Sequence, residues 1–199
     1  MSLIVKGGQK VEIVRIIEGI KREEEWACRQ LIDSYGDRIL RVAYGILKDK
    51  QLAEDTVQEV FLKVFRKIDQ HNSDRSFDSW LYTITVNQCR NKMRKWTFKK
   101  LFFVDQFLGF NERSDEKVEE TILQDEKAQI LHKEIRRLKA KYREVIILYY
   151  YEDLSVKEIG EVLDVKENTI KTRLRRGRNY LKKNLEDNEE VQYVLLQTR

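Results

Sequence analysis

The amino-acid sequence predicts an all-α chain arranged as two small helical domains joined by a linker. Three observations carry that prediction. Proline is absent and glycine occurs only 8 times in 199 residues, so little interrupts a helical backbone. Apolar residues recur at three- and four-residue steps along most of the chain, and alternating β-branched runs bounded by glycine-rich turns are missing. The helical pattern then degrades once, where aromatic and basic Trp96 to Phe110 gives way to polar, acidic Asn111 to Glu120. This divides the chain into 1–96 for the first domain with its lead-in, 97–127 for the linker, 128–185 for the second domain and 186–199 for a tail.

Taken in order, residues 1–10 read as a frayed lead-in. Ile13, Ile16, Ile17 and Ile20 keep a helical period, and Lys21 to Glu25 is an exposed charge run. Trp26, Leu31, Ile32 and Tyr35 continue an apolar stripe until Gly36 and Asp37 loosen the chain. Ile39, Val42, Ala43, Ile46 and Leu47 mark the next helix. From Gln51 to Ile68 the pattern is strongly amphipathic, with Ala53, Val57, Val60, Phe61, Val64 and Ile68 on one face. The opposite face carries Asp55, Gln58, Glu59 and Leu62. Two readings fit that second row: a solvated face, or a docking surface for a partner helix.

His71 to Ser76 is a polar loop, with Asp74 or Ser76 placed to cap the next helix. Phe77, Trp80, Leu81, Ile84 and Gln88 then share one helical face, and Thr83, Asn87, Arg90 and Arg94 the other. Arginines with an asparagine beside an aromatic-rich helix suit single-stranded nucleic acid, whose backbone is held electrostatically. Trp80 itself fits a core position better than a stacking platform. The Phe-rich stretch after Trp96 is costly in water and is expected to pack against something. A further helix is expected from about Thr121 through Ile122, Leu123, Ile130, Leu131, Ile135 and Leu138.

The most informative stretch runs from Tyr142 to Lys183. Val145, Ile146, Leu148 and Tyr149 stripe one helix, which Glu152 and Asp153 break. Ser155 with Glu158 three residues later forms a capping box for a second helix through Ile159, Val162 and Leu163. Asp164 falls where the turn needs a positive φ, and Gly160 where two crossing helices need a small residue. A third helix, starting near Lys166 or Glu167, turns Ile170, Leu174 and Leu181 inward. This is a helix-turn-helix pattern. Its last helix is basic, with Lys171, Arg173, Arg175, Arg176 and Arg178 crowding two turns. Such a helix can enter a major groove, where arginine reads guanine and lysine or arginine anchors phosphate.

Charge supports the same picture. The excess of 39 Lys and Arg over 34 Asp and Glu is modest, but base collects in Arg90 to Lys100 and Lys171 to Lys183, with acid in Glu112 to Glu126. Two separated basic patches suggest two polyanion contacts. Cys28 and Cys89 stand in no metal or redox spacing, so reduced thiols are expected. No apolar run is long enough to cross a bilayer, and Lys6 interrupts any signal-peptide core. A soluble, cytoplasmic protein is expected. His71 and His132 have no catalytic partners, and no metal-ligand cluster, paired-carboxylate motif or phosphate loop appears. No enzyme, metal, cofactor or small-molecule substrate is therefore expected.

Two segments together resemble one family. LAEDTVQEVFLKVF at Leu52 to Phe65, with FDSWLYTITVNQCRNKMRK at Phe77 to Lys95, resembles the region-2 helical bundle of bacterial extracytoplasmic-function (ECF) RNA polymerase sigma factors, group 4 of the sigma-70 family. Tyr142 to Lys183 resembles their region-4 helix-turn-helix. The resemblance implies promoter-specific transcription initiation with core RNA polymerase, through its β′ clamp helices and β flap. It implies that Asp55, Gln58, Glu59 and Leu62 grip the clamp helices. It places the −10 contacts on Asn72, Ser73, Asn87, Arg90 and Arg94, with the 69–76 loop pocketing a flipped base. It places the −35 contacts on Lys171, Thr172, Arg175 and Arg176, with Arg173 on the backbone. It further implies control by a membrane-linked anti-sigma factor, and a linker that threads toward the polymerase cleft.

The chain departs from the family pattern in four places. Leu138-Lys139 replaces the usual Leu-Pro, which predicts an uninterrupted helix there. Asp164 stands where glycine is frequent, and Arg175 where an apolar or aromatic residue is common. Glu23 to Trp26 replaces a usual Gly-Asp break. An autonomous helix-turn-helix regulator of duplex operator DNA is the alternative reading, and tight specific DNA binding without polymerase would favour it.

Overall fold

A computed structural model describes the backbone of residues 3–72, 75–102 and 126–185. Eight α-helices occupy those residues: α1 Leu3–Lys21, α2 Glu25–Leu47, α3 Lys50–Lys67, α4 Phe77–Phe102, α5 Glu126–Arg137, α6 Ala140–Tyr150, α7 Val156–Leu163 and α8 Glu167–Leu185. A short 3-10 turn, Ile68–Gln70, comes after α3. The expected linker beyond Phe102, the helix start at Thr121 to Leu123 and the 186–199 tail lie outside the described residues.

The first half, α1 to α4, is a bundle around Leu31, Ile39, Val60, Phe61, Val64 and Leu81. Its connections obey local chemistry. The Asp49 side chain accepts from Leu52 N at 2.7 Å and caps α3, while Lys48, at φ 65°, ends α2 with its N–H on the Tyr44 carbonyl. Ser76 Oγ accepts from Ser79 N at 3.1 Å and starts α4.

Several sequence expectations are corrected here. Helix α1 begins at Leu3, within the expected lead-in. The chain breaks at residues 22–24, where Glu23 takes φ 59°, and continues as helix through Gly36 and Asp37. Glycine costs a helix about 1 kcal/mol, too little to break one whose Leu31 and Ile39 are fully buried. Trp26 and Ile32, expected in the apolar stripe, are exposed; the Trp26 ring instead lies under the Arg15 guanidinium at 5.2 Å and its N–H donates to Glu24 at 2.6 Å. At Leu138-Lys139 the expected continuous helix is interrupted: α5 ends at Arg137 and α6 starts at Ala140. The break is held by Arg143, whose guanidinium donates to the carbonyls of Leu138 at 2.8 Å and Arg136 at 3.2 Å.

The second half, α5 to α8, packs against the first. Helix α7 lies on α4, and α6 and α5 lie on α2. One apolar cluster spans both halves, joining Ile46, Tyr82 and Val86 to Ile147, Ile159 and Val162. The approach is close at Gly45, where a Cβ atom would lie 2.6 Å from Ile147 Cδ1. Two arginines of the second half also finish a helix of the first. Arg143 donates to the Ile46 carbonyl at 2.8 Å, and Arg136 to the Lys48 carbonyl at 3.1 Å. These are the C-terminal carbonyls of α2, which have no partner within their own helix and attract cations.

Candidate functional site

Helix α3 sorts its side chains cleanly. Ala53, Thr56, Val60, Phe61 and Val64 are buried, which turns Asp55, Gln58, Glu59 and Leu62 to solvent on the opposite side. Leu62 is 55% exposed, a large apolar side chain in water amid charge. Glu59 is steadied by Lys92 Nζ at 2.8 Å and by Gln88 Nε2 at 3.3 Å, both from α4. Glu59, Leu62, Lys63, Arg66, Lys67 and Gln88 line a shallow groove between the two helices. The resulting surface holds an apolar contact beside fixed polar groups, the composition that a docked helix requires.

Helix α4 and the segment before it carry the second set. Asn72, Asn87 and Arg94 are exposed, and Arg94 Nη2 donates to Asn91 Oδ1 at 2.5 Å. Ser73 lies outside the described residues. Arg90 departs from the expectation of an outward-facing cation. It forms a two-pronged pair with Glu144 of α6, Nε to Oε1 at 3.0 Å and Nη2 to Oε2 at 2.8 Å. The hydrogen bond to Glu144 raises the Arg90 pKa and holds its charge. Trp80 sits against Phe77 and His71, with ring centroids 5.7 and 5.4 Å away, as a core-type aromatic.

The third set lies on α8. Its approach is set by the preceding turn. Ser155 and Glu158 form the expected reciprocal cap on α7, and Asp164 takes φ 55°, ψ 53°. Gly160 allows the turn to fold back, because a Cβ atom there would lie 2.9 Å from the Val165 carbonyl oxygen. Ile170, Leu174, Gly177, Leu181 and Leu185 bury the inner face of α8. Lys171, Arg175 and Arg176 are then exposed together, with Thr172 and Arg173 half-buried at the edge. The Thr172 hydroxyl donates to the Asn168 carbonyl at 2.8 Å.

The sequence reading missed a fourth group, the carboxylates that meet α2 and α4. Glu152 is fully buried; it accepts from the Tyr82 hydroxyl and from Arg38 Nε at 3.0 Å, with Arg41 3.7 Å away. One signal for it existed. Val145 to Tyr151 is an unbroken run of apolar and aromatic residues, and a helix apolar all round needs packing partners on more than one side; Arg143 to Leu148 are indeed all buried. Among the described residues no cluster of His, Cys, Asp or Glu could hold a metal ion, and no helix is long and apolar enough to cross a membrane.

A helical bundle with an outward acid-amide-leucine face, followed by a helix-turn-helix with a basic second helix, defines a two-part nucleic-acid-binding factor. Known proteins agree with that class. Residues 31–97 match the family described as Sigma-70 region 2, and residues 128–181 match Sigma-70, region 4. The chain is 32% identical over 184 residues to the ECF RNA polymerase sigma factor SigW of Bacillus subtilis, covering 88% of this chain and 97% of that one. It is 28% identical to the RNA polymerase sigma-H factor of Pseudomonas aeruginosa, covering 86% and 93%. In fold it is similar to CnrH, solved with the cytosolic domain of CnrY, at TM-score 0.65 and 20% identity over 87% of this chain and 97% of that one. It is similar in the same way to the sigma factor RpoE of Bartonella quintana, solved with the anti-sigma factor NepR, at TM-score 0.66 and 23% identity over 81% and 98%. The chain belongs to the ECF sigma factors of the sigma-70 family.

Proposed function

We propose that the chain is a dissociable subunit that binds core RNA polymerase and directs it to promoters. The Asp55, Gln58, Glu59 and Leu62 face engages the polymerase clamp helices. Asn87 and Arg94, with Asn72, Ser73 and Arg90, meet the single-stranded −10 element, and Lys171 to Arg176 meet the −35 duplex. The observation that carries this reading is the exposure, in one chain of the family's order, of both the α3 face and the basic face of α8. Strand opening proceeds by capture, since a base held in a protein pocket cannot restack and flipping costs only a few kcal/mol. Two linked sites hold a promoter better than either alone, because the second contact is intramolecular.

The chain works without catalysis of its own, in the cytoplasm, and an anti-sigma factor restrains it. The RpoE neighbour, solved with such an inhibitor, supports that last step. Run-off transcription with core polymerase, on fragments from upstream of the chain's own gene, tests the reading. Defined transcripts that need the chain are expected. Tight, specific operator binding without polymerase, and no transcript with it, would instead mark an autonomous regulator.

A further inference from the structure

Two lysines stand beside the recognition helix rather than on it. Lys139 precedes α6 at φ −57° and ψ 141°, and Lys141 lies in the first turn of that helix. The Tyr142 N–H donates to the Lys139 carbonyl at 2.8 Å and closes the turn that carries both lysines. Both side chains are exposed, and among the described residues neither takes part in an ion pair. Cations at this end of a helix oppose its dipole, so neither lysine steadies the helix that bears it.

Tyr142 joins the pair to α8. Gly177 of α8 packs on α6 so closely that a Cβ atom there would lie 3.1 Å from Ile146 Cγ1 and 3.7 Å from Tyr142 Cβ. The Lys141 ammonium lies over the Tyr142 ring, 5.2 Å from its centroid, where the ring's negative face attracts a cation. A hydrogen bond with the Arg176 guanidinium lowers the Tyr142 pKa, and the charges of Lys141, Arg176 and Lys139 lower it further. A guanidinium only donates, so the phenol oxygen accepts that bond and keeps its own proton for another acceptor. Three cations and one O–H donor thus meet on the flank of α8, at an exposed arginine of its basic face.

That position suits phosphate. A helix seated in a major groove about 12 Å wide has a strand of phosphates along each side. Groups that flank the helix face such a strand and not the base edges. Phosphate supplies what the ridge lacks, negative charge for the two lysines and an acceptor for the tyrosine hydroxyl.

We propose that Lys139, Lys141 and the Tyr142 hydroxyl grip a backbone phosphate of the duplex that α8 enters, and that the Tyr142–Arg176 bond carries this grip to the groove-facing row. The proposal rests on the reading of α8 as the −35 helix. The ridge adds affinity and fixes register, and it reads no base.

The test uses holoenzyme reconstituted from core polymerase and the full chain, on the fragment from upstream of the chain's own gene. Phosphate ethylation interference and salt titration are the readouts. Ethylation of phosphates flanking the −35 element is expected to block wild-type binding. With Lys139→Ala and Lys141→Ala together, the block at about one or two of those phosphates should vanish. Affinity should fall about five- to ten-fold, and the slope of log affinity on log salt should become shallower by about one per lost contact. Tyr142→Phe should weaken binding about three-fold and leave the slope unchanged, because a neutral group releases no counterion. An unchanged ethylation pattern and slope in the lysine variant overturns the proposal. So does loss of its co-purification with core polymerase, which would make the ridge a polymerase contact. Lys171→Ala scores the −35 reading separately. If it binds like the wild type and no phosphate near −35 interferes in either, that reading falls and the ridge with it. If Lys171→Ala weakens binding while the lysine variant matches the wild type, the ridge alone falls.

Discussion

Arg143 Nη2 donates to the carbonyl of Ile46 across 97 residues of sequence, from the first turn of α6 to the last turn of α2. The same guanidinium closes the α5–α6 break through Leu138 and Arg136. One side chain thus ends two helices in different halves of the chain. Burial lowers its pKa from the ordinary arginine value, so the site is held by carbonyl dipoles more than by a counter-charge.

Arg143→Met keeps length and loses every donor. Two of its three hydrogen bonds, to the Leu138 and Ile46 carbonyls, are buried, and at about 1–3 kcal/mol for each buried carbonyl left unsatisfied the variant should lose about 2–6 kcal/mol. The urea midpoint measures it. A change under about 0.5 kcal/mol would show that water replaces the guanidinium at no cost.

Gly160→Ala puts a Cβ atom 2.9 Å from the Val165 oxygen. Backbone must shift, at about 1–3 kcal/mol, and the α7–α8 angle shifts with it. Binding to −35 duplex should weaken at least ten-fold while co-purification with core polymerase persists. Equal loss of both would point to general unfolding instead.

The α3 face gives an opposite pattern. Gln58→Ala with Glu59→Ala removes two exposed groups and leaves the buried side of α3 intact. Stability should change by about 0.5 kcal/mol or less. Association with core polymerase should fall at least ten-fold, and undiminished co-purification removes this face from the account.

Asn87→Ala is expected to leave polymerase binding intact and to slow promoter opening about ten-fold or more. Permanganate reactivity of the −10 thymines reports opening directly. Wild-type reactivity would take Asn87 out of the −10 site.

His71 makes stability depend on pH. Burial against Phe77 and Trp80, with Lys21 adding repulsion, lowers its pKa from 6.5. Its buried Nε2 has no hydrogen-bond partner among the described residues. The fold therefore keeps the ring neutral, while the unfolded chain binds a proton near pH 6.5. The stabilising difference is complete above pH 6.5 and is lost as pH falls through the lower, folded value. Urea melts at pH 5 and pH 7.5 should show this loss in the wild type and less of it in His71→Gln.

Much of this protein was legible in the sequence because its signals are local. The capping box at Ser155 and Glu158 is four residues of chemistry, and the positive φ at Asp164 is set by its position between two helical stripes. The outward row of Asp55, Gln58, Glu59 and Leu62 is dictated by the period of the buried row opposite. Where local signals are weak, sequence pattern and structure differ. Gly36 and Asp37 looked like a break but sit in a helix whose buried leucine and isoleucine outweigh a single glycine. Leu138-Lys139 reads as continuous, but Arg143, five residues on, satisfies the broken turn.

The sequence by itself determined the helices, their inward faces and the two-region order that assigns the family. Only the tertiary structure decided the fate of Arg90, Arg143, Glu144 and Glu152. Periodicity reports which side of a helix avoids water, and it treats every charge as a candidate for solvent. Whether a given charge stays there depends on a partner 54 or 114 residues away. Such pairs form only once the backbone has brought two helices together, since a carboxylate leaves water only where a fitted guanidinium already waits.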